Sequence, residues 1–168
     1  TAITNDASPE GNESFTLSAT NAGGTAATGT GTISDTGTGS IFLASNNTAT
    51  PNVSTDQGFP ARLDDDRALT VSSVTVNEAS PFAVFTVTGA TGQLVSLSLA
   101  GGGATIGTDT GNTPSGGTLE FFDGTTWQAY TPGSFVAIPA GGTTLLVRTA
   151  ITNDGFHEGQ ENLSVLAS

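Results

Sequence analysis

The 168-residue chain carries fifteen Asp and Glu, three Arg and no Lys, for a formal net charge of −12 at pH 7. Nucleic acids and anionic membrane surfaces are bound by basic side chains, so neither kind of partner is expected, nor is direct membrane insertion, because no apolar run approaches the ~18 residues that cross a bilayer. Cys is absent, which removes disulfides and thiolate metal sites, and the surplus of carboxylate points instead to neutralising metal cations.

The chain opens on a segment that returns near its end. Residues 1–20 and 149–168 align without gaps at an offset of 148, with ten identities in twenty positions. Asp6, Glu10 and Glu13 match Asp154, Glu158 and Glu161. Self-similarity at a fixed spacing marks a repeat architecture. The expectation is a window on a tandem array, one period plus a twenty-residue overlap.

Residues 1–35 therefore read as the C-terminal strands of a preceding repeat. Residues 14–19 alternate, with Phe15, Leu17 and Ala19 on one face. Asn21-Ala-Gly-Gly24 predicts a turn, and 25–34 a second strand of small residues. Residues 36–66 are rich in Asn, Thr, Gly and Pro and end in Asp64-Asp-Asp66. They predict an inter-repeat connection, with Ile41-Phe-Leu43 docked as a short edge strand. From 67 to 168 strands follow closely: 69–76, 83–88, 94–99, a hairpin of 118–122 and 127–130 about Asp123-Gly124, then 134–138, 143–152 and 161–167. Turn signals about every ten residues, with no helical periodicity, predict an all-β antiparallel sandwich of about seven or more strands.

The repeat carries a further expectation. In the first copy the strand at 13–20 is followed by another at 25–34, whereas in the second copy the strand at 161–167 is not. Its edge would present unpaired N–H and C=O groups. Residues 25–34 are expected to fill that edge, either in the same chain or in another subunit by strand addition, which would build a fibre.

Calcium takes six to eight oxygen ligands, so a site at the end of a sandwich needs carboxylates from several loops. Glu78, Asp109 and the cluster Asn153, Asp154, Glu158 and Glu161 all stand where strands meet turns. Asp64, Asp65 and Asp66 precede the first strand of the second repeat, while Asp6, Glu10 and Asp35 belong to the first. Asp123 before Gly124 reads as an ordinary solvated turn residue.

In the order Val-Asn-Glu78, Gly-Thr-Asp109, Ile-Thr-Asn-Asp154 and Glu158-Gly-x-Glu161, residues 67–168 resemble the Calx-β domain, an Ig-like β-sandwich. Gly31-Thr-Ile-Ser-Asp35 is similar to its closing strand. The register from Leu69-Thr-Val through Phe121-Phe-Asp-Gly-Thr-Thr-Trp127 to Leu146-Val-Arg148 also resembles the tandem extender repeats of giant bacterial RTX adhesins. That resemblance implies Ca²⁺ as cofactor, with Glu78, Asp109, Asp154 and Glu158 as ligands and Asp64–Asp66 with Asp35 at an inter-domain site. It implies an extracellular place on the bacterial cell surface and a structural role in biofilm attachment. The partners implied are neighbouring repeats or subunits, with host or cell-surface glycans contacted through other domains. Asn153 stands where Calx-β has another acid, and Ser34-Asp35-Thr36 shortens the acidic linker.

An enzyme is not expected. His157 is the one histidine, and without Cys or Lys the usual nucleophile–base pairs are missing. His157 aligns with Pro9 in the other copy and reads as a surface residue. Two alternatives belong to another class. Trp127 and Tyr130 are candidate glycan-stacking residues, and Thr28-Gly-Thr-Gly-Thr32 with Thr36-Gly-Thr38 is a candidate ice-binding array.

Overall fold

The computed structural model describes residues 3–4, 8–52, 65–155 and 159–168. They form two compact units, Thr1–Arg67 and Ala68–Ser168, and every regular element among them is a β-strand.

The first unit is built on one antiparallel hairpin, β1 (Glu13–Thr20) with β2 (Ala26–Ile33). The Asn21 side chain shapes its turn: Oδ1 accepts the N–H groups of Gly23 and Thr25, both at 3.0 Å. Gly24 takes φ +81°, a conformation that L side chains rarely adopt. The register sorts the side chains by chemistry. Phe15, Leu17 and Ala19 share one face with Gly31, Gly29 and Ala27, while Ser14, Thr16 and Ser18 share the other with Thr32, Thr30 and Thr28. Phe15 lies flat on Gly31, where an added Cβ would come within 2.5 Å of the ring. All of β1 is exposed, including Leu17 at 72%. Among the described residues no strand spans Ile41–Leu43, where Ile41 alone forms an isolated β-bridge. There the Asn52 side chain accepts the Leu43 N–H, while Asn52 N–H donates to the Ile41 carbonyl, so the segment closes a polar loop.

The second unit places its strands in two layers. One sheet has the order β3 (Thr70–Val71), β4 (Phe82–Thr88), β10 (Thr144–Ala150), β7 (Glu120–Phe122), β8 (Trp127–Ala129). Against it lie β5 (Leu94–Val95) and β6 (Leu97–Gly101), which run on as one strand through Ser96. β5 pairs with β9 (Val136–Ala137), and β6 pairs with β11 (Leu163–Ala167). Ser96 and Ser168 exchange backbone hydrogen bonds of 2.7 and 3.1 Å on the β11 side, whereas the Gln93 carbonyl accepts from Ile138 on the β9 side.

Period-two alternation explains the core. Ala83, Phe85 and Val87 of β4, Leu145 and Val147 of β10, Val95 and Leu97, and Val165 of β11 are all buried and in one cluster. Each of these Val, Leu and Phe side chains contributes ~1.5–3 kcal/mol relative to exposure. Tyr130 joins them, its hydroxyl accepting the Leu97 N–H at 2.9 Å and donating to the Ser134 carbonyl at 2.7 Å.

Two elements depart from the sequence expectation. The strand predicted at 69–76 pairs only through Thr70 and Val71. Ser72 ends the ladder: its backbone N–H reaches the Thr86 carbonyl, but its hydroxyl, not its carbonyl, receives the Thr86 N–H at 2.9 Å. The Asp123-Gly124 turn is also longer than the tightest hairpin. Phe122 pairs with Trp127, leaving residues 123–126 as the loop.

Candidate functional site

At one end of the second unit, four loops meet around an open cleft of about 700 Å³. Glu78, Asp109, Asp154 and Glu161 all line it, beside Val74, Val76, Ala83, Phe85, Ile151 and Leu163. The lining therefore mixes four carboxylates with apolar side chains.

Backbone hydrogen bonds fix the loops to one another. Asp109 and Thr105 form a closed turn, in which Asp109 N–H donates to the Thr105 carbonyl at 2.9 Å and Asp109 Oδ2 accepts the Thr105 N–H at 2.6 Å. The Asp109 carbonyl then accepts the Thr152 N–H at 2.8 Å, joining this turn to the end of β10. Pro81 accepts from Ile151 at 3.1 Å, and Glu78 Oε1 accepts the Asp154 N–H at 3.1 Å. Beneath them Thr110 Oγ1 donates to the Ala150 carbonyl and lies 3.0 Å from Thr149 Oγ1, in a buried pair of hydroxyls.

Asn162 clamps the fourth loop. Its carbonyl accepts from Gly102 and Ala104 at 2.9 and 3.1 Å, and its Oδ1 accepts the Gly103 N–H at 2.6 Å. A Cβ on Gly102 would lie 1.7 Å from that Oδ1 and 2.9 Å from the Asn162 carbonyl oxygen, so both the clamp and the backbone approach favour glycine. This clamp escaped the sequence reading, although Gly101-Gly-Gly103 was its visible trace.

The structure thus gathers Glu78, Asp109, Asp154 and Glu161 around one cleft. Asn153, next to Asp154, is exposed. No three Asp or Glu converge on a single point among the described residues, and Glu158 lies outside them, as does His157. The donors are hard oxygens on separate loops, which suits calcium rather than a softer metal.

The second set of acids is differently placed. Asp65 gives both carboxylate oxygens to Arg67, Oδ1 to Nε at 2.7 Å and Oδ2 to the terminal guanidinium nitrogen at 2.6 Å. Hydrogen bonding to Asp65 raises the Arg67 pKa above its ordinary value, despite the opposing effect of burial. Asp65 is therefore an ion-pair partner before it is a metal ligand. Asp35 Oδ2 accepts the Glu10 N–H at 2.7 Å, which ties the start of β1 to the end of β2. Asp66 Oδ2 is shielded from solvent without a hydrogen-bond partner. Asp6 and Asp64 lie outside the described residues.

Of the two candidate stacking residues, Tyr130 is 4% exposed with its hydroxyl satisfied, so it offers no surface to a ligand. Trp127 packs on the outer side of the five-stranded sheet, with its ring centroid 5.4 Å from that of Phe122. One face of its indole is taken by the Arg148 guanidinium at 4.2 Å, which also lies 3.8 Å from the Phe82 ring centroid. Arg148 Nε donates to the fully buried Glu120 at 2.6 Å. Burial pushes the Glu120 pKa up, but hydrogen bonds from Ser115 and Arg148 outweigh it and hold the carboxyl below its ordinary value. The Glu120–Arg148 pair was not anticipated, although both residues fall at outward-facing strand positions.

Comparison with protein-family profiles, curated proteins and solved structures returns no match for the chain.

Proposed function

We propose that the chain is a calcium-rigidified extender repeat of a secreted bacterial surface adhesin, an Ig-like sandwich of Calx-β type. The observation that carries this reading is the meeting of Glu78, Asp109, Asp154 and Glu161 around one cleft, from segments far apart in sequence. Like charges gathered in this way repel unless solvated or bridged by a cation. The internal repeat adds the second support, since a unit copied at a fixed period serves extension better than catalysis.

By the resemblance to Calx-β, Glu78, Asp109, Asp154 and Glu158 would hold the ion; Glu78, Asp109 and Asp154 line the cleft without converging on one point, so binding would draw them together. Bound calcium supplies positive charge that ties the loops together. Glu78 already positions Asp154 by accepting its N–H, and Asn162 holds the Gly102 loop closed beside them. A ligand that binds only the folded state stabilises it by mass action. Millimolar calcium, as in extracellular fluids, fills even weak sites of this class.

The test is thermal unfolding with millimolar calcium against excess chelator, with magnesium as the control. The expected result is a melting temperature several degrees higher in calcium alone. Superimposable melts would remove the calcium reading.

A further inference from the structure

We infer that the Asp154–Gly155 bond is a site of spontaneous backbone isomerisation, where Asp154 passes through a cyclic imide to isoaspartate. The fold protects the chain's other bond of this type, Asp123–Gly124. The inference rests on the sequence and geometry of these two bonds and does not depend on the calcium reading.

The chain holds two Asp–Gly bonds and no Asn–Gly bond. Glycine after Asp leaves the next backbone nitrogen unshielded, because it carries no Cβ. That nitrogen, on losing its proton, attacks the carboxyl carbon of the Asp side chain. The N–Cγ bond forms, a Cγ–O bond breaks, and the oxygen leaves as water with the amide and carboxyl protons. Water then adds to one of the two imide carbonyls. Addition at Cγ restores Asp, whereas addition at the main-chain carbonyl gives isoaspartate. One water leaves and one returns, so no oxidant or other reactant is needed.

A folded chain permits this only where the carboxyl can turn its face to the following nitrogen and can shed an oxygen. The uncharged carboxyl does the second far more readily than the carboxylate. At Asp123 both conditions fail. Its Oδ1 accepts the N–H groups of Thr125 and Thr126, both at 2.8 Å, and its Oδ2 accepts from Gln128 at 2.8 Å. Turning the carboxyl toward the Gly124 nitrogen gives up these bonds. The backbone hydrogen bonds from Thr126 and Thr125 also hold its pKa at about 2, so its uncharged form is scarce.

Asp154–Gly155 is differently placed. The tethers of this loop, Thr152 N–H on the Asp109 carbonyl and Asp154 N–H on Glu78 Oε1, lie before the reacting atoms in the chain. Asp154 and Gly155 are both exposed. A Cβ built on Gly155 would meet nothing within 4 Å, and among the described residues no acceptor is placed on its N–H. The attacking nitrogen is therefore open to the water or hydroxide that must take its proton. The first copy of the repeat has Asp6–Ala7 at this position, so the reactive dipeptide belongs to the second copy alone.

Isoaspartate adds a methylene to the main chain between residues 154 and 155 and leaves its carboxylate on Cα. Asp154 lines the cleft with Glu78, Asp109 and Glu161. The change therefore displaces one carboxylate of the cleft and lengthens the connection from β10 to β11. Its pace is set by time at neutral pH and by no partner.

The test keeps full-length wild-type and G155A chains in chelator near neutral pH at body temperature for several weeks, folded and in guanidinium chloride. Electron-transfer fragmentation of the peptides distinguishes the two linkages and locates isoaspartate. In the folded wild-type chain, isoaspartate at position 154 should exceed that at position 123 several-fold, and denaturant should bring the two sites to similar levels. G155A should fold, because Gly155 has open space and is not among the positive-φ glycines. It should lose most of the product at position 154 and leave position 123 unchanged. Equal accumulation at the two sites in the folded chain, more at Asp123, or product at Asp154 confined to the denatured sample overturns the proposal. Undiminished isoaspartate at position 154 in G155A also overturns it, since the reaction would then not depend on the exposed glycine nitrogen.

Discussion

Glu78 Oε1 accepts the backbone N–H of Asp154 at 3.1 Å, across 76 residues of sequence. The same side chain is thus a structural acceptor and a candidate ligand, and the two roles separate by substitution. E78Q keeps an oxygen that can accept the N–H but removes the charge. It should leave the calcium-free melting temperature nearly unchanged and shrink the calcium-induced rise. E78A should lower both. If E78Q retains the full calcium response, measured by melting at several calcium concentrations, Glu78 is not a ligand.

On the outer face of the five-stranded sheet, Arg148 is held between the rings of Phe82 and Trp127 and bonded to Glu120, whose side chain is wholly buried. Removing one partner of a buried ion pair strands the other, at a cost of about 3–5 kcal/mol. R148A should fall in that range by urea unfolding. R148A/E120L, which removes both charges, should recover much of the loss. W127A should be milder, since it removes a cation–π contact and hairpin packing but leaves the ion pair.

Asp123 is fully exposed, yet it is tightly bound to its own loop. Its Oδ1 accepts the N–H groups of Thr125 and Thr126, both at 2.8 Å, and its Oδ2 accepts from Gln128 at 2.8 Å. The backbone hydrogen bonds from Thr126 and Thr125 lower its pKa to about 2. A folded-state value below the unfolded one, ~3.9 for Asp, means the ionised form favours the fold. That contribution is present above about pH 4 and fades as pH falls toward 2. D123N should flatten the acid limb of the stability–pH curve in this window, by urea unfolding from pH 2 to 5. Parallel curves for the two proteins would contradict the assignment.

The strand pattern was legible because most strands here bury one face. Alternation at 83–88, 94–99, 143–152 and 161–167 is the direct imprint of a core on one side and water on the other. Where the pattern misled, a single polar side chain intervened. Ser72 replaces a ladder bond with its hydroxyl, and Asn52 closes a loop around Ile41 and Leu43. No period in the sequence encodes such bonds. Two of the acidic residues lining the cleft stood out through the repeat, since Asp154 and Glu161 recur as Asp6 and Glu13, Asp154 at the end of six consecutive identities. The Asn162 clamp and the Glu120–Arg148 pair did not, because each depends on which distant loops meet.

Tyr130 shows how such a meeting can carry stability. Its hydroxyl stands between the two layers, receiving the Leu97 N–H at 2.9 Å where β6 runs past the end of β9. That N–H points to the edge away from β11, so the phenol stands in for a strand partner there. It donates in turn to the Ser134 carbonyl at 2.7 Å, which fixes the loop between β8 and β9. Y130F keeps the ring in the core and deletes only the oxygen. A buried donor left unsatisfied costs about 1–3 kcal/mol, and that is the expected loss in urea unfolding. The local signature is more specific: amide exchange at Leu97 should accelerate more than at Leu145, which lies in the central strand of the opposite sheet. Uniform acceleration across both sheets would mean that the hydroxyl acts only through global stability.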